Sequence, residues 1–438
     1  MAKKKTEATD TLAGLSKSEA RIALKNKLNK EAGELLIGSL KEEAIKGINV
    51  ISTGSPSLDL KLGQGGIPKG HITELYGPNQ AGKSTLALQM ATNVYKSGGA
   101  VIYVDAEYSL DVDYALALGL DVYDEDRFLL VQPDFGEQGF NTIWPFIKNS
   151  LVDLIIIDSY PMMVPFAALN SAETQGFEKV PAVALGARMW GFFLDKTLSF
   201  LKRNDIAMVI LNQERVVSQG LNSLGTGRAG GNVLKHVDFV TIQLQSAQSN
   251  HKGTGDSQKG TYVGLYRETK ATVTKNKMAP PQRQAMLTIE FGKGVNYFKD
   301  LLNVCYEYEV VASKSGSWIT FIDQNGEIIA KVQGEDSAAI LLSERKDLVE
   351  IILKAVLDET GIMLYNPFNP NEKIGKLDSC REVKETVISL LDIIDDDEVL
   401  FTEEEIERLS AIPVAPEPQY EEVEESEPVI EEESHYRL

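Results

Sequence analysis

Short apolar runs alternate along the chain with longer amphipathic stretches, and this alternation predicts repeated strand–helix units. Helices are predicted directly after the first apolar run, near 111–118 and through 184–204. The runs that predict strands are HITELYG (71–77), VIYVDAE (101–107), LVDLIIIDS (151–159), AMVILNQ (207–213), FVTIQLQ (239–245), KATVTKNK (270–277) and MLTIEFG (286–292). Strands that are apolar almost throughout are expected in a largely parallel sheet covered on both faces. The pattern therefore predicts an α/β core.

The two ends of the chain follow other patterns. Residues 16–46 mix charged with spaced apolar positions, as a helix outside the main core does. SGSWITFIDQNGEIIAKVQ (315–333) predicts a β-hairpin around residues 324–326, with helical patterns at 336–359 and 378–391. We therefore expect an N-terminal helical segment (1–45), an α/β core (46–300), a small α+β C-terminal domain (301–391) and an acidic tail (392–438).

Most of the net charge lies in that tail. The 438 residues have a formal net charge of −20, and from Asp392 onward 18 acidic residues stand against two basic ones. The tail thus carries −16 and leaves −4 on the first 391 residues. Such a composition predicts a disordered, solvating end. The alternative is a tethered mimic of DNA that occupies basic surfaces until divalent cations or a partner displaces it. The acidic total therefore does not exclude nucleic acid as a ligand.

Cysteine content and hydropathy exclude other classes of protein. Cys305 and Cys380 are far apart and have no metal-ligand spacing, which argues against a disulfide scaffold and a zinc site. No stretch reaches the roughly 20 apolar residues that span a bilayer, and the basic N-terminus has no apolar region behind it. We expect a soluble protein of a reducing cytoplasm, without a membrane partner.

The stretch ELYGPNQAGKST (74–85) fits the phosphate-loop motif G-x-x-x-x-G-K-[ST]. A predicted strand precedes it and a predicted helix follows, which is the context that the motif needs. Backbone N–H groups are expected to wrap the phosphates, Lys83 to contact the β- and γ-phosphates, and Ser84 to ligate Mg²⁺. The predicted nucleotide-binding residues here are Gly77, Pro78, Asn79, Gln80, Ala81, Gly82, Lys83, Ser84 and Thr85.

Two carboxylates end predicted strands near this loop. Asp158 ends LIIID at the edge of the sheet where ligands of α/β proteins bind, so we expect it to act on Mg²⁺ directly or indirectly. Glu107 ends VIYVDAE, where it is expected to polarise a water molecule for attack on the γ-phosphate. The alternatives are an aspartate that caps a turn and a solvated glutamate. Together with the phosphate loop, the two residues predict nucleotide hydrolysis.

Six motifs stand in the order and approximate spacing of bacterial RecA recombinases. They are INVISTGSPSLDLKLGQGGIPKGHITELYGPNQAGKST, IYVDAEYSLDVDYALALGLD, LIIIDS, LNQERV, GGNVLK and VTKNKMAPP. The chain thus resembles a RecA-type DNA recombinase over roughly residues 45–350. The resemblance implies a RecA-like P-loop ATPase core, ATP and Mg²⁺ as cofactors, and work in DNA recombination, repair and the SOS response. It also implies a helical filament on single-stranded DNA that pairs with homologous duplex DNA and exchanges strands.

The resemblance also implies roles for individual residues around the nucleotide. Glu107 matches the glutamate that activates water, and Gln213 matches the residue that senses the γ-phosphate. Asp111 and Tyr114 match positions that contact and stack on adenine. From the residues alone, Gln213 is equally a strand-end amide with local hydrogen bonds.

Lys275 and Lys277 match lysines that reach the ATP of the neighbouring subunit. Two cations at a subunit interface offset charge in the transition state of phosphoryl transfer, as an arginine finger does. Without the resemblance, both lysines fit an exposed strand end.

Two segments, 160–188 and 214–232, are expected to contact DNA. Arg188, Arg215, Gly230, Gly231 and Asn232 match family positions, whereas Arg228 is inferred from its charge alone. The glycine-rich second segment has the composition of a mobile loop, and an ordinary flexible loop fits it equally well. The chain departs from the family pattern in a longer first segment, in Leu221-Asn222 where an aromatic residue is usual, and in His236 where a phenylalanine packs into the next subunit.

Two other functions remain open from the sequence. One is a hexameric translocase or helicase on the same fold, and the other is a non-catalytic DNA-binding filament or accessory protein. The expected partners are single-stranded DNA, homologous duplex DNA and further copies of the chain, joined head to tail with the N-terminal segment docked on the neighbouring core. Single-strand-binding or mediator proteins are expected to bind through the acidic tail.

Overall fold

The computed structural model describes residues 16–32, 37, 48–175, 182–218, 224–228, 233–246, 252–254, 263–323, 325–372 and 374–376. The predicted helix at 378–391 and the acidic tail lie outside these residues, as do 1–15 and most of 33–47. None of the helices in the described ranges is long and apolar enough to cross a membrane.

Strands and helices alternate through most of the chain. The strands are β1 (Val50–Ile51), β2 (Ile67–Pro68), β3 (Ile72–Gly77), β4 (Val101–Asp105), β5 (Phe128–Val131), β6 (Leu154–Asp158), β7 (Ala207–Ser218), β8 (Leu224–Arg228), β9 (Val240–Ser246), β10 (Lys252–Thr254), β11 (Val263–Asn276), β12 (Arg283–Glu290), β13 (Gly294–Val295), β14 (Ala312–Ser315), β15 (Trp318–Ile322), β16 (Ile328–Gln333), β17 (Ile362–Met363) and β18 (Gly375–Lys376). The helices are α1 (Lys17–Ala32), α2 (Pro56–Leu62), α3 (Lys83–Lys96), α4 (Val112–Leu118), α5 (Gly136–Lys148), α6 (Phe166–Gln175), α7 (Ala182–Arg203), α8 (Val233–Val237), α9 (Tyr297–Glu307), α10 (Glu335–Glu344) and α11 (Lys346–Thr360).

One large sheet forms the core, in the order β13-β12-β11-β9-β3-β7-β6-β4-β5. From β9 to β5 every neighbouring pair is parallel, which confirms the predicted parallel core around the phosphate-loop strand β3. On the other side β11, β12 and β13 continue the sheet with antiparallel pairs, which the apolar pattern did not distinguish. The mostly parallel α/β fold is therefore confirmed, with an antiparallel extension.

The parallel strands are apolar because both of their faces are covered. All five residues of β6 are buried. Leu154 and Ile156 pack into the cluster that contains α3, while Ile155 and Ile157 pack into the cluster that contains α5 and α7. Successive side chains of a strand point to opposite faces, so a continuous apolar run fills two layers. The carboxyl ends of these strands consequently meet at one edge, beside the phosphate loop.

The second expected DNA segment is not a loop throughout. Strand β7 continues to Ser218 and pairs antiparallel with β8, with Glu214 opposite Arg228. The prediction of a loop was wrong for residues 214–218 and 224–228. Val216 and Val217 are β-branched, which favours a strand, and the neighbouring glycines concealed that signal. Residues 219–223 and 229–232 lie outside the described residues.

The residues after 296 build most of a smaller core, which Leu60 of α2 joins. The predicted hairpin is confirmed as β15 and β16, and β14 adds a third antiparallel strand. Phe321, Leu342 and Leu348 are among the residues buried between this sheet and helices α9 to α11. The helical pattern at 336–359 divides into α10 and α11 at Arg345, whose φ of −108° and ψ of 82° are not helical. The domain boundaries proposed from the sequence remain a prediction.

Candidate active site

The phosphate loop joins the end of β3 to the start of α3, and its two motif glycines lie against other strands. A Cβ on Gly77 would sit 2.1 Å from the carbonyl oxygen of Leu244, and one on Gly82 would sit 2.6 Å from Cδ1 of Ile289. Gly82 also has a φ of +91°, which glycine adopts without strain. Within the described residues no side chain caps α3 at Gly82, so its first N–H groups suit a phosphate anion.

Lys83 lies at the first position of α3. Its Nζ donates to the carbonyl oxygens of Gly77 (3.2 Å) and Pro78 (2.8 Å), so the ammonium lies over the loop. Burial lowers the pKa of Lys83, and the negative charges of Asp158 and Glu107 act in the opposite direction. The lysine therefore lies where a cation for the phosphates is expected.

Asp158 and Ser84, the predicted magnesium ligands, are in contact. Oδ2 of Asp158 accepts hydrogen bonds from Ser84 Oγ (2.8 Å) and from the Tyr103 hydroxyl (2.7 Å). Burial raises the pKa of Asp158, and burial together with the charge of Asp158 raises that of Tyr103 well above its usual value. Tyr103 was not predicted from the sequence. A polar hydroxyl in a strand otherwise rich in Val and Ile is the sequence feature that could have identified Tyr103.

The oxygen donors at this position fit Mg²⁺. This ion typically takes one or two protein oxygens and completes its octahedral shell with phosphates and water. Among the described residues, no three His, Cys, Asp or Glu side chains gather into a metal cage. A hydroxyl and one carboxylate beside a phosphate loop therefore match a nucleotide-bound magnesium ion.

Glu107 and Gln213, predicted as the base and the sensor, are also brought together. Oε1 of Glu107 accepts from Ser159 Oγ (2.5 Å) and from Nε2 of Gln213 (3.3 Å). Glu107 follows β4 and Ser159 follows β6, two adjacent parallel strands that end at the same edge. Ser159 was not predicted, although its position directly after Asp158 indicates it.

Gln213 connects the phosphate loop with the β7–β8 hairpin. It lies opposite Gly77 in the pairing of β3 with β7, and β7 then leaves the sheet to form the hairpin. The Gln213 N–H donates to Oδ1 of Asn212 (2.8 Å), and Nδ2 of Asn212 donates to Oε1 of Glu74 (2.8 Å). One strand thus carries both the residue beside Glu107 and the expected DNA segment.

Asp111 and Tyr114, predicted for adenine, lie at the start of α4. Asp111 is the N-cap and accepts the Tyr114 N–H at 2.9 Å. The Tyr114 ring packs against the apolar cluster that contains Leu86 and Leu88 of α3. The structure therefore brings both residues next to the phosphate-loop helix.

Lys275 and Lys277 lie at the end of β11, which β9 separates from β3. Nζ of Lys275 contacts the carboxylate of Asp238 and the carbonyl oxygen of Lys235 (2.8 Å). Nζ of Lys277 lies 5.4 Å from the ring centre of Phe239. Their observed partners belong to α8 and the segment leading into β9, so an action on nucleotide across an interface remains a proposal.

The residues predicted for DNA differ in how the structure places them. Arg188 is exposed on α7, whereas the Arg228 guanidinium is held by the carboxylates of Glu74 and Asp238. That ion pairing does not favour the phosphate contact expected from the charge of Arg228. Arg215 lies on β7. Gly230, Gly231 and Asn232 lie outside the described residues.

Arg188 borders an apolar groove of about 440 Å³ between α5 and α7. The groove is also lined by Trp144, by Phe192, which is 74% exposed, and by Lys196. Phe140 and Phe193 of the groove pack edge-on against the buried ring of Trp190, which stacks on Tyr160 at 4.4 Å and 20°. An exposed arginine beside aromatic side chains suits contact with unpaired bases and phosphates.

Comparisons with known proteins agree with this geometry. Residues 19–296 match the model of the RecA N-terminal domain. Protein RecA of Petrotoga mobilis is 33% identical over 340 residues, which cover 77% of this chain and 88% of that protein. Protein RecA of Lactococcus lactis subsp. cremoris is 34% identical over 364 residues (82% and 89%), and that of Streptococcus uberis is 33% identical over 395 residues (90% and 99%).

Proposed function

Because this chain belongs to the RecA family, we propose that it is an ATP-dependent recombinase. It forms a helical filament on single-stranded DNA, pairs that strand with homologous duplex DNA and exchanges strands. Hydrolysis of ATP, stimulated by DNA, resets the filament. The observation that carries the proposal is Glu107, which is bound by Ser159 and by Gln213 of the strand that enters the hairpin.

The residues around the phosphate loop divide the work of hydrolysis. The N–H groups of the loop and Lys83 hold the phosphates, while Ser84 and Asp158 hold Mg²⁺. When bound there, the ion would supply positive charge that offsets the charge of the phosphate oxygens. Ser159 and Gln213 both bind Oε1 of Glu107 and so restrict rotation of its carboxylate. Glu107 then accepts the proton of the attacking water.

A complete site is built between neighbouring subunits on DNA. Lys275 and Lys277 supply positive charge to the ATP of the adjacent subunit, as an arginine finger does. Arg188, Arg215 and the segment Gly230, Gly231 and Asn232 contact single-stranded DNA. Gln213 links DNA binding to ATP hydrolysis, because it contacts Glu107 and lies on the strand that leads to the hairpin.

The test is ATP hydrolysis with and without long single-stranded DNA, at several protein concentrations. We expect strong, cooperative stimulation, because the active sites are completed between neighbours on DNA. Glu107→Gln is expected to lower kcat by roughly 10²- to 10⁴-fold, the usual contribution of a general base, and to leave ATP binding intact. The exposed Glu125→Gln serves as the matched control.

The other outcomes are equally informative. A rate that does not depend on DNA identifies a different ATPase on the same fold. Closed rings in electron micrographs, with unwinding but without homologous pairing, identify a translocase. Full turnover by the Glu107→Gln protein shows that another residue is the base.

A further inference from the structure

Four charged side chains form one cluster at the end of β8, the return strand of the β7–β8 hairpin. The Arg228 guanidinium contacts the carboxylate of Glu74 on β3, and its Nη1 lies 3.1 Å from Oδ2 of Asp238. Nζ of Lys275 contacts the other oxygen of Asp238. The side chains of Glu74 and Asp238 are 0% exposed, those of Arg228 and Lys275 are 18% and 30% exposed. The cluster therefore balances two buried anions with two cations.

Because both carboxylates are buried, each of them must keep a cation as its partner. A buried carboxylate that loses its cation is costly, so neither acid tolerates being left unpaired. Arg228 is the only one of the two cations in contact with both acids, because Lys275 contacts Asp238 alone among the four. If Lys275 leaves, Arg228 still neutralises Asp238. If Arg228 is absent, Asp238 has Lys275 as its remaining cation in the cluster and retains it.

The cluster is connected to the hydrolytic carboxylate. Glu74 accepts Nδ2 of Asn212 at 2.8 Å, Asn212 accepts the N–H of Gln213 at 2.8 Å, and Gln213 donates to Glu107 at 3.3 Å. Contacts therefore run without interruption from Lys275 to Glu107. Arg228 stands in the middle, on the return strand of the hairpin.

We propose that Arg228 is an internal positioning residue, which neutralises Asp238 and so allows Lys275 to leave for the nucleotide of the neighbouring subunit. This inference rests on the proposed function, in which Lys275 acts across the interface. It replaces the DNA contact expected from the charge of Arg228. The two roles make opposite predictions for an Arg228 variant.

The experiment compares Arg228→Gln with the unaltered protein in ATP hydrolysis at saturating single-stranded DNA and in DNA binding across a salt series. We expect kcat to fall at least about tenfold, a usual size for coupling between sites, with unchanged DNA affinity and salt dependence. A DNA-contacting arginine would instead weaken binding and reduce the salt slope by about 1, with kcat preserved at saturation. That second result overturns the proposal.

Two double variants separate positioning from a structural effect. Asp238→Asn added to Arg228→Gln releases Lys275, so kcat is expected to recover. Glu74→Gln added to Arg228→Gln also removes one buried negative charge, yet it leaves Asp238 holding Lys275, so kcat stays low. Equal recovery in both, or recovery in neither, contradicts the proposal. Adding Lys275→Gln to the recovered protein is expected to abolish its gain.

A second substitution keeps the test valid if Arg228→Gln does not fold. Arg228→Lys retains a cation, but its side chain ends one bond short of the position of Nη1, the atom that contacts both carboxylates. It is expected to lower kcat in the same direction, with recovery by Asp238→Asn and not by Glu74→Gln. The DNA-stimulated rate of the unaltered protein is the separate test of the proposed function. An absence of stimulation there refutes that function, whereas unaltered kcat in the Arg228 variants refutes only this inference.

Discussion

Single side chains set the geometry of the proposed magnesium site, and Tyr103 is the clearest case. Its hydroxyl donates to the same oxygen of Asp158 that binds Ser84. Groups that hold a metal ligand in place commonly change metal affinity by 10- to 100-fold when they are removed. We therefore expect Tyr103 to affect the affinity for Mg²⁺ without contacting the nucleotide.

We predict that Tyr103→Phe raises the Mg²⁺ concentration for half-maximal ATP hydrolysis by roughly tenfold, because Asp158 loses the bond that orients it. The rate at saturating Mg²⁺ should change little. A magnesium titration of hydrolysis measures both quantities. Tyr95→Phe is the matched control, since it removes a tyrosine bond to Asp124 at 2.8 Å. Equal midpoints for the two variants would contradict the assigned role.

At this scale the sequence predicted residues inside motifs and missed their partners. Lys83, Ser84, Asp158 and Glu107 lie in patterns that specify their chemistry, and the structure brings them to one edge of the sheet. Tyr103 lies 55 residues before Asp158, and strand pairing rather than any local pattern joins the two. Asp238 was missed for the same reason, although an acid directly before the apolar run FVTIQLQ is a visible signal.

Among the secondary-structure elements, α2 is held by two buried carboxylates. Ser55 caps the helix by accepting the Leu58 N–H, and Asp300 of α9 accepts from Ser55 Oγ and from the N–H of Ser57. Asp59, inside α2, accepts from Ser52 and Thr53. Asp300 thereby ties the start of α2 to the segment after residue 296.

These carboxylates predict a dependence of stability on pH. Burial raises the pKa of Asp59 to about 7 and raises that of Asp300 as well. Since the folded pKa exceeds the unfolded one, the protonated acid favours folding. The resulting gain in the free energy of unfolding is complete below about pH 4 and is lost as the pH rises through about 7. For Asp59 this gain amounts to roughly 4 kcal/mol.

The free energy of unfolding is expected to fall between pH 4 and pH 7, and Asp59→Asn is expected to make that fall smaller by roughly 4 kcal/mol. Urea unfolding at several pH values measures it. The exposed Asp195→Asn is the control and should keep the original slope. A slope in the Asp59 variant as steep as that of the unaltered protein would show that Asp59 does not contribute to it.

The elements themselves were predicted better than their pairing. Apolar runs located β3, β4, β6, β7 and β9, since a strand buried on both faces needs such a run. The antiparallel direction of β11 and β12 depends on connections that periodicity does not encode. The hairpin of β7 and β8 was hidden by glycine-rich composition, and the break at Arg345 interrupts a pattern that is helical on both sides.

For the whole molecule, the uneven charge is the main feature. The tail from Asp392 carries −16 of the net charge of −20, and the core offers an exposed arginine beside an aromatic groove. An acidic tail is expected to compete with DNA for such a basic side chain, and divalent cations are expected to screen that competition.

We predict that truncation after Leu391 raises affinity for single-stranded DNA and lowers the Mg²⁺ concentration needed for binding. Binding isotherms at several Mg²⁺ concentrations compare the truncated with the full chain. Truncation after Arg437 removes one residue and leaves the acidic run, so it serves as the control. Superimposable isotherms for the full chain and the protein ending at Leu391 would refute a competing role for the tail.

The placement of the tryptophans gives this chain a built-in optical signal. Of its three tryptophans, Trp144 and Trp190 lie at or next to the groove beside Arg188, and Trp318 lies in the small C-terminal sheet. Substituting Trp318 by phenylalanine confines every indole to the neighbourhood of that groove. The intrinsic fluorescence of such a protein then reports on the surroundings of that groove alone. Quenching by an added oligonucleotide would detect binding there without an attached dye.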